Sequence, residues 1–214
     1  MPARVSESII LRTYPLGEAD LIVSFFTRDQ GKLRGVARRA RKPANRFGGG
    51  LDRLSYGNMH YFLRENRELL TLDSCDTIRS AFPLASDYST AVAADFIAEV
   101  ADQLLPAQEP NERFFRLMLV VSAHLMERGA AAVYEAVTYY GLWAVRLSGF
   151  LPELELEEED HAIAEEMLSR PVGKLSERQW TAPTARMLRR RLVALIEEHV
   201  ERRLLTARAL ESLA

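Results

Sequence analysis

The sequence predicts an α+β chain: a small five-stranded barrel over residues 1–80, then an all-α domain over residues 81–214. Three observations carry this reading. The hydrophobic pattern changes near residue 80 from short alternating runs to a repeat of about four. Turn residues interrupt the first part at short intervals. Charge also divides there: residues 1–80 hold 14 Lys and Arg against 9 Asp and Glu, and residues 81–214 hold 14 against 21, inside a formal net charge of −2.

The strand candidates are SIILRTYP, DLIVSFFT, GKLRGVARR, NMHYFLRE and ELLTLDSC. Each is rich in β-branched, aromatic or alternating apolar residues. Breaks fall at Pro15–Gly17, Asp29–Gly31, Gly48–Gly50 and Glu65–Asn66, where glycine, proline, asparagine and aspartate favour turns. Five short strands, with one basic loop between the third and the fourth, suit a small closed or partly closed barrel, which leaves little unpaired edge.

Beyond Phe82 the spacing is helical. Tyr88, Val92, Phe96, Val100 and Leu104 recur along one predicted helix face, as the helical period requires. PAQEP at 106–110 ends that helix, and Phe114, Met118, Val121 and Leu125 mark the next. After Gly129 the stretch AAAVYEAVTYYGLWAVRL is apolar enough for a helix packed on several sides. Leu188, Leu192, Leu195 and His199 align in the C-terminal segment, where Pro183 suits a first helical turn.

The densest cationic stretch is GKLRGVARRARKPANRFGGG at 31–50; from Arg28 to Arg46 there are eight basic residues and one acid, Asp29. A strand period of two puts Lys32, Arg34 and Arg38 on one face, with Leu33, Gly35 and Ala37 on the other. Those cations lead into a loop carrying Arg39, Arg41, Lys42 and Arg46, a track able to neutralise successive phosphates with release of counterions. Phe25, Phe26, Tyr61 and Phe62 lie in neighbouring strands. Alternation turns one of each adjacent pair outward as a platform for base stacking. Gly48, Gly49 and Gly50 are read as giving the loop mobility. The solvated reading of the same stretch is an exposed charged loop on a protein-binding adaptor.

Other functional classes find little support. No apolar run approaches the roughly 18 residues of a membrane span, and the N-terminus lacks the pattern of a secretory signal, so a cytoplasmic location is expected. Cys75 is the single cysteine, which leaves no internal disulfide or multi-thiolate zinc site; it is read as a buried, inert thiol. His60, His124, His161 and His199 are scattered, without a catalytic or metal-binding motif. The acidic run Glu153–Asp160 is read as a solvated helix start. No metal, no cofactor and no enzymatic activity are expected.

Several strings, in order, resemble the RecO family of bacterial recombination mediators. They are ESIILRTYPLGEADLIVSFFTRDQGKLRGVARRARKPANRFGGGLD, DFIAEVADQLLPAQEPNERFF, YGLWAVRLSGFLPEL and HVERRLLTARALESL. The resemblance implies an N-terminal OB-fold barrel followed by a helical domain. It also implies DNA repair and recombination through binding of single- and double-stranded DNA, annealing of complementary strands and loading of the recombinase. The implied partners are a RecR-type protein and the acidic C-terminal tail of single-strand-binding protein, and the implied location is the nucleoid. By resemblance, Lys32, Arg34, Arg38, Arg39, Arg41, Lys42 and Arg46 would contact DNA.

One departure stands out. Many relatives carry a four-cysteine zinc module after the string matching GFLPEL, whereas this chain continues LELEEEDHAIAEEML without a cysteine. A second cationic cluster, Arg189, Arg190, Arg191, Arg202 and Arg203, has two readings: helical-spacing pairs with Glu197, Glu198 and Glu201, or a receptor for an acidic peptide tail.

Overall fold

The computed structural model describes residues 3–62 and 69–213. Five strands come first: β1 (Ala3–Leu16), β2 (Asp20–Thr27), β3 (Gly31–Ala37), β4 (Tyr56–Phe62) and β5 (Leu70–Arg79). Six α-helices follow: α1 (Tyr88–Leu104), α2 (Glu112–Arg128), α3 (Val133–Leu147), α4 (Glu158–Ser169), α5 (Arg186–His199) and α6 (Leu205–Glu211). The expected Glu65–Asn66 break lies outside the described residues. The chain divides into two compact units, one of Met1–Pro83 with Leu105–Phe115 and one of Leu84–Leu104 with Arg116–Ala214. The division is therefore not a single cut after residue 80.

The first unit is a closed barrel in the order β1-β2-β3-β5-β4, with β4 pairing back onto β1. This is the five-stranded OB-fold arrangement. The long β1 serves both neighbours, as Ser8 and Ile9 pair with β2 on one side and β4 on the other. Closure depends on a short parallel contact of Gly35–Ala37 with Leu70–Leu72. Gly35 is needed there, since a Cβ would stand 2.6 Å from the Leu72 side chain. Ile10, Val23, Phe25, Leu33, Met59 and Tyr61 fill the interior. Burial of such side chains contributes about 1.5–3 kcal/mol each.

The segment 105–115 closes over the outside of this barrel. The Gln108 amide donates to the Lys32 carbonyl at 3.0 Å, and Ala107 bridges to Lys32. Phe114 and Phe115 meet Phe26 with ring centroids 6.3 and 5.6 Å apart. Arg28 joins the two parts, pairing with Glu7 at 2.7 Å and with Glu112 at 3.3 Å while lying over the Phe115 ring.

In the helical unit α3 is the centre and packs against α1, α4 and α5. That explains its burial on several sides, from Val133 to Val145. Val92, Phe96 and Val100 of α1 are buried as their spacing predicts, but Tyr88 is 69% exposed at the helix start. Two carboxylates remote in sequence cap helix starts, satisfying amides that have no partner inside their own helix. Asp160 accepts from the Leu188 amide at 2.9 Å, and buried Glu99 accepts from the Leu205 and Thr206 amides at 3.0 and 2.9 Å.

Two local expectations change. Pro183 precedes α5 instead of lying in its first turn; Ala185, in the left-handed region at φ 54°, separates them. The C-terminal segment is two helices, because the backbone turns left-handed at Glu201, φ 51°. His199 thus ends α5, exposed on one side and stacked on Phe150 at 3.9 Å. Among the described residues no helix is long and apolar enough to cross a membrane.

Candidate nucleic-acid interface

Strand β3 sorts its residues as period two requires. Gly31, Leu33, Gly35 and Ala37 are buried; Arg34 is exposed and Lys32 half-buried on the other face, and Arg38 is exposed just past the strand. Lys32 lies at the end of this face that carries the 105–115 segment. The exposed track accordingly begins at Arg34.

The loop after β3 is built by backbone contacts to the β1–β2 turn. Arg39 adopts φ 56°, and its amide donates to Asp20 Oδ1 at 2.8 Å. The Arg41 amide donates to the Ala19 carbonyl at 3.0 Å, and its guanidinium donates to the Gly17 carbonyl at 3.2 Å. Asn45 Oδ1 then accepts from the amides of Phe47 and Gly48 at 2.8 and 2.9 Å, a side-chain turn of the kind asparagine favours. Phe47 and Leu51 descend into the barrel core.

The glycines do not give the loop the freedom read from the sequence. A Cβ on Gly50 would lie 2.6 Å from Thr77 Oγ1 and 2.9 Å from the Phe47 carbonyl. Close packing requires glycine at Gly50, and a left-handed turn of φ 52° favours it at Gly48.

This folding leaves the cations outward. Among the described residues, the side chains of Arg34, Arg38, Arg39, Arg41 and Lys42 make no ion pair. Arg46 differs, as it pairs with Asp73 at 2.8 Å while remaining 74% exposed.

The stacking residues need correction. Phe25 and Tyr61 are both core residues, edge to face at 6.1 Å, with the Tyr61 hydroxyl 3.1 Å from Ser6 Oγ. Phe26 does point out of the barrel, but the 105–115 segment covers it completely. None of these three rings offers a face to a base. Phe62 alone of the four is partly exposed, at the end of β4.

Sequence reasoning missed Arg12 and Tyr14. Both are partly exposed, and the Arg12 and Arg34 guanidiniums lie 5.1 and 5.8 Å from the Tyr14 ring centroid. The alternation in LRTY was a usable signal, but its phase was not.

Cys75 is buried against the Gly50 carbonyl, and burial pushes its thiol up to about 11. It stays protonated at neutral pH, the inert form. A thiol reagent at pH 8 should therefore modify the native protein slowly and the urea-unfolded protein at the rate of a free cysteine. Equal rates would contradict this packing.

The second cationic cluster is partly consumed within the helical unit. Arg189 donates to the Thr184 and Ala182 carbonyls under the Tyr134 ring, and burial lowers it to about 10. Arg190 pairs with Glu211 at 2.9 Å and Arg203 with Glu197 at 2.5 Å. Arg186 and Arg208 make no ion pair among the described residues, and they edge a cleft of about 620 Å³ floored by Val193, Leu210 and Leu213.

The comparisons agree with this architecture. Residues 1–81 match the family model "Recombination protein O N terminal", and residues 85–157 match "Recombination protein O C terminal". DNA repair protein RecO of Koribacter versatilis (strain Ellin345) is 39% identical over 242 aligned positions, covering 97% of this chain and 98% of the relative. That alignment is longer than the chain, so the relative carries segments absent here. DNA repair protein RecO of Cutibacterium acnes is 34% identical over 72% of this chain, and that of Anaeromyxobacter sp. (strain K) 31% over 69%. In those two, this chain spans only 64% and 57% of the relative's length. With matching N- and C-terminal family domains and a relative aligned nearly end to end, the chain belongs to the RecO family.

Proposed function

We propose that this protein is a non-catalytic recombination mediator in DNA repair. It binds single- and double-stranded DNA through the basic face of the barrel, anneals complementary strands and helps load a recombinase onto strands coated by single-strand-binding protein. The observation that supports this is the set of five cations, Arg34, Arg38, Arg39, Arg41 and Lys42, without an ion pair among the described residues. Side chains that gain nothing from internal pairing are available to phosphates. Contacts of this kind position strands without reading bases, and base pairing then supplies the selectivity of annealing.

Partners follow from the family. A RecR-type protein and the acidic tail of single-strand-binding protein are the expected ones, at the nucleoid in the cytoplasm. The cleft edged by Arg186 and Arg208 combines positive charge with an apolar floor, which suits an acidic tail. Catalysis is not part of the proposal: the buried, protonated Cys75 is a poor nucleophile, and His124 is held against buried Glu135 at 2.8 Å.

A salt titration tests the central claim. Binding to an unstructured oligonucleotide should weaken with a log–log slope of about −0.7 per phosphate contact, hence roughly −3.5 for five cations. A slope near zero would favour a protein-binding adaptor whose basic loop is merely solvated.

A further inference from the structure

With Phe25, Phe26 and Tyr61 buried and Phe62 on β4, which is not a neighbour of β3, a ring beside the basic strand comes from elsewhere, and a bulge in β1 provides one. Ile10 pairs with Phe25 and Arg12 with Ser24, so β1 spends two residues where β2 spends one, and Leu11 is the extra residue. A bulge of this kind inverts the alternation that follows it. Ile10 points into the core, and Arg12 and Tyr14 point out with Ser24 and Ile22.

The outer face of β1, β2 and β3 then carries two cross-strand rows. One is Arg12, Ser24 and Arg34; the next is Tyr14, Ile22 and Val36. Partners within a row are close enough for their side chains to touch. Arg12 and Arg34 lie 5.1 and 5.8 Å from the Tyr14 ring centroid, within cation–π range. Both belong to the same row, so they approach the ring from one side. From the other side, toward Leu16 and Arg38, no cation or ring meets Tyr14 among the described residues. Arg12 makes no ion pair there either.

We propose that Tyr14 is the platform on which a base of single-stranded DNA stacks, with Arg12 and Arg34 steadying the ring and meeting the adjoining phosphates. The surface thereby gains what the basic track alone lacks: an aromatic face beside its cations. Duplex DNA, whose bases are already stacked on one another, makes no use of this ring. The proposal rests on the reading of the basic face as a DNA surface, and it adds a preference for unpaired strands.

The experiment compares three labelled ligands by anisotropy: an oligothymidylate, an abasic oligonucleotide of equal length, and a blunt duplex. The wild-type protein should bind the abasic strand about 10- to 100-fold more weakly than oligothymidylate, the range expected for one base–aromatic stack. Tyr14→Ala should bind both strands at that weaker level, with the salt slope and duplex affinity unchanged. Tyr14→Phe should behave as wild type, because it keeps the ring. Equal wild-type affinity for oligothymidylate and the abasic strand would overturn the platform without involving any variant. So would a folded Tyr14→Ala protein with wild-type affinity for oligothymidylate. In either case a steep salt slope leaves the DNA-binding reading standing; a flat slope with oligothymidylate removes both.

Discussion

Replacing Arg38, Arg39, Arg41 and Lys42 together by alanine should reduce affinity for single-stranded DNA by about 100-fold and abolish detectable annealing at moderate salt. An exposed ion pair contributes about 0.2–1 kcal/mol, so four lost phosphate contacts amount to roughly 3 kcal/mol. The salt slope should fall by about 2.8, from four contacts at about 0.7 each, and that change separates lost contacts from lost structure. Stability should hardly move. Among the described residues, Arg41 alone of the four uses its side chain internally, on the Gly17 carbonyl at 3.2 Å; surface substitutions of this sort are usually within about 0.5 kcal/mol. Filter binding across a salt series and an annealing assay measure the effect, with thermal unfolding as the control. Normal annealing by the folded variant would move the DNA surface off this loop.

Gly31→Ala should be among the most destabilising single substitutions in the barrel. Gly31 has φ +73°, and a Cβ there would lie 2.3–2.4 Å from the backbone N, C and O of Glu109. A left-handed alanine costs about 1–2 kcal/mol, and forcing atoms into packed space about 1–3 kcal/mol more. Because the obstacle is backbone, relief requires the 105–115 segment to shift away from β3. The expected loss is about 3–4 kcal/mol, a fall in melting temperature of roughly 10 °C. Gly17→Ala isolates the conformational part, since Gly17 has φ +63° with nothing within 4 Å of an added Cβ. Urea unfolding should show Gly31→Ala losing at least twice as much stability as Gly17→Ala. Equal losses would mean that Glu109 does not press on Gly31.

Much of the barrel was legible because strand residues answer to their immediate neighbours. GKLRGVA alternates in the sequence and alternates in burial, so the outward placing of Arg34 followed from counting. Counting failed where the pairing slips. From Ile10 it assigns Tyr14 to the core, and only the extra residue at Leu11, visible in the pairing with β2, turns Tyr14 outward. Phe26 illustrates a different limit. Alternation turned one of Phe25 and Phe26 outward without saying which, and the cover of Phe26 comes from Phe114 and Phe115, far along the chain. The glycine run misled for a related reason: glycine in sequence marks either freedom or crowding, and Thr77, the Phe47 carbonyl and Cys75 decide for crowding at Gly50. In the helical unit the apolar spacing located the helices, whereas Asp160 and Glu99, which cap α5 and α6, carry no local sign of that role.

The return of residues 105–115 to the barrel has a consequence for biosynthesis. All five strands leave the ribosome before α1 is made, yet the residues that seal Phe26 emerge only after it. During that interval the nascent barrel presents Phe26 as an exposed apolar site, open to chaperones and to pairing with other chains. Contacts between residues so distant in sequence also slow folding. The barrel is therefore first in sequence but still incomplete when its last strand is made, and its maturation waits on the start of α2.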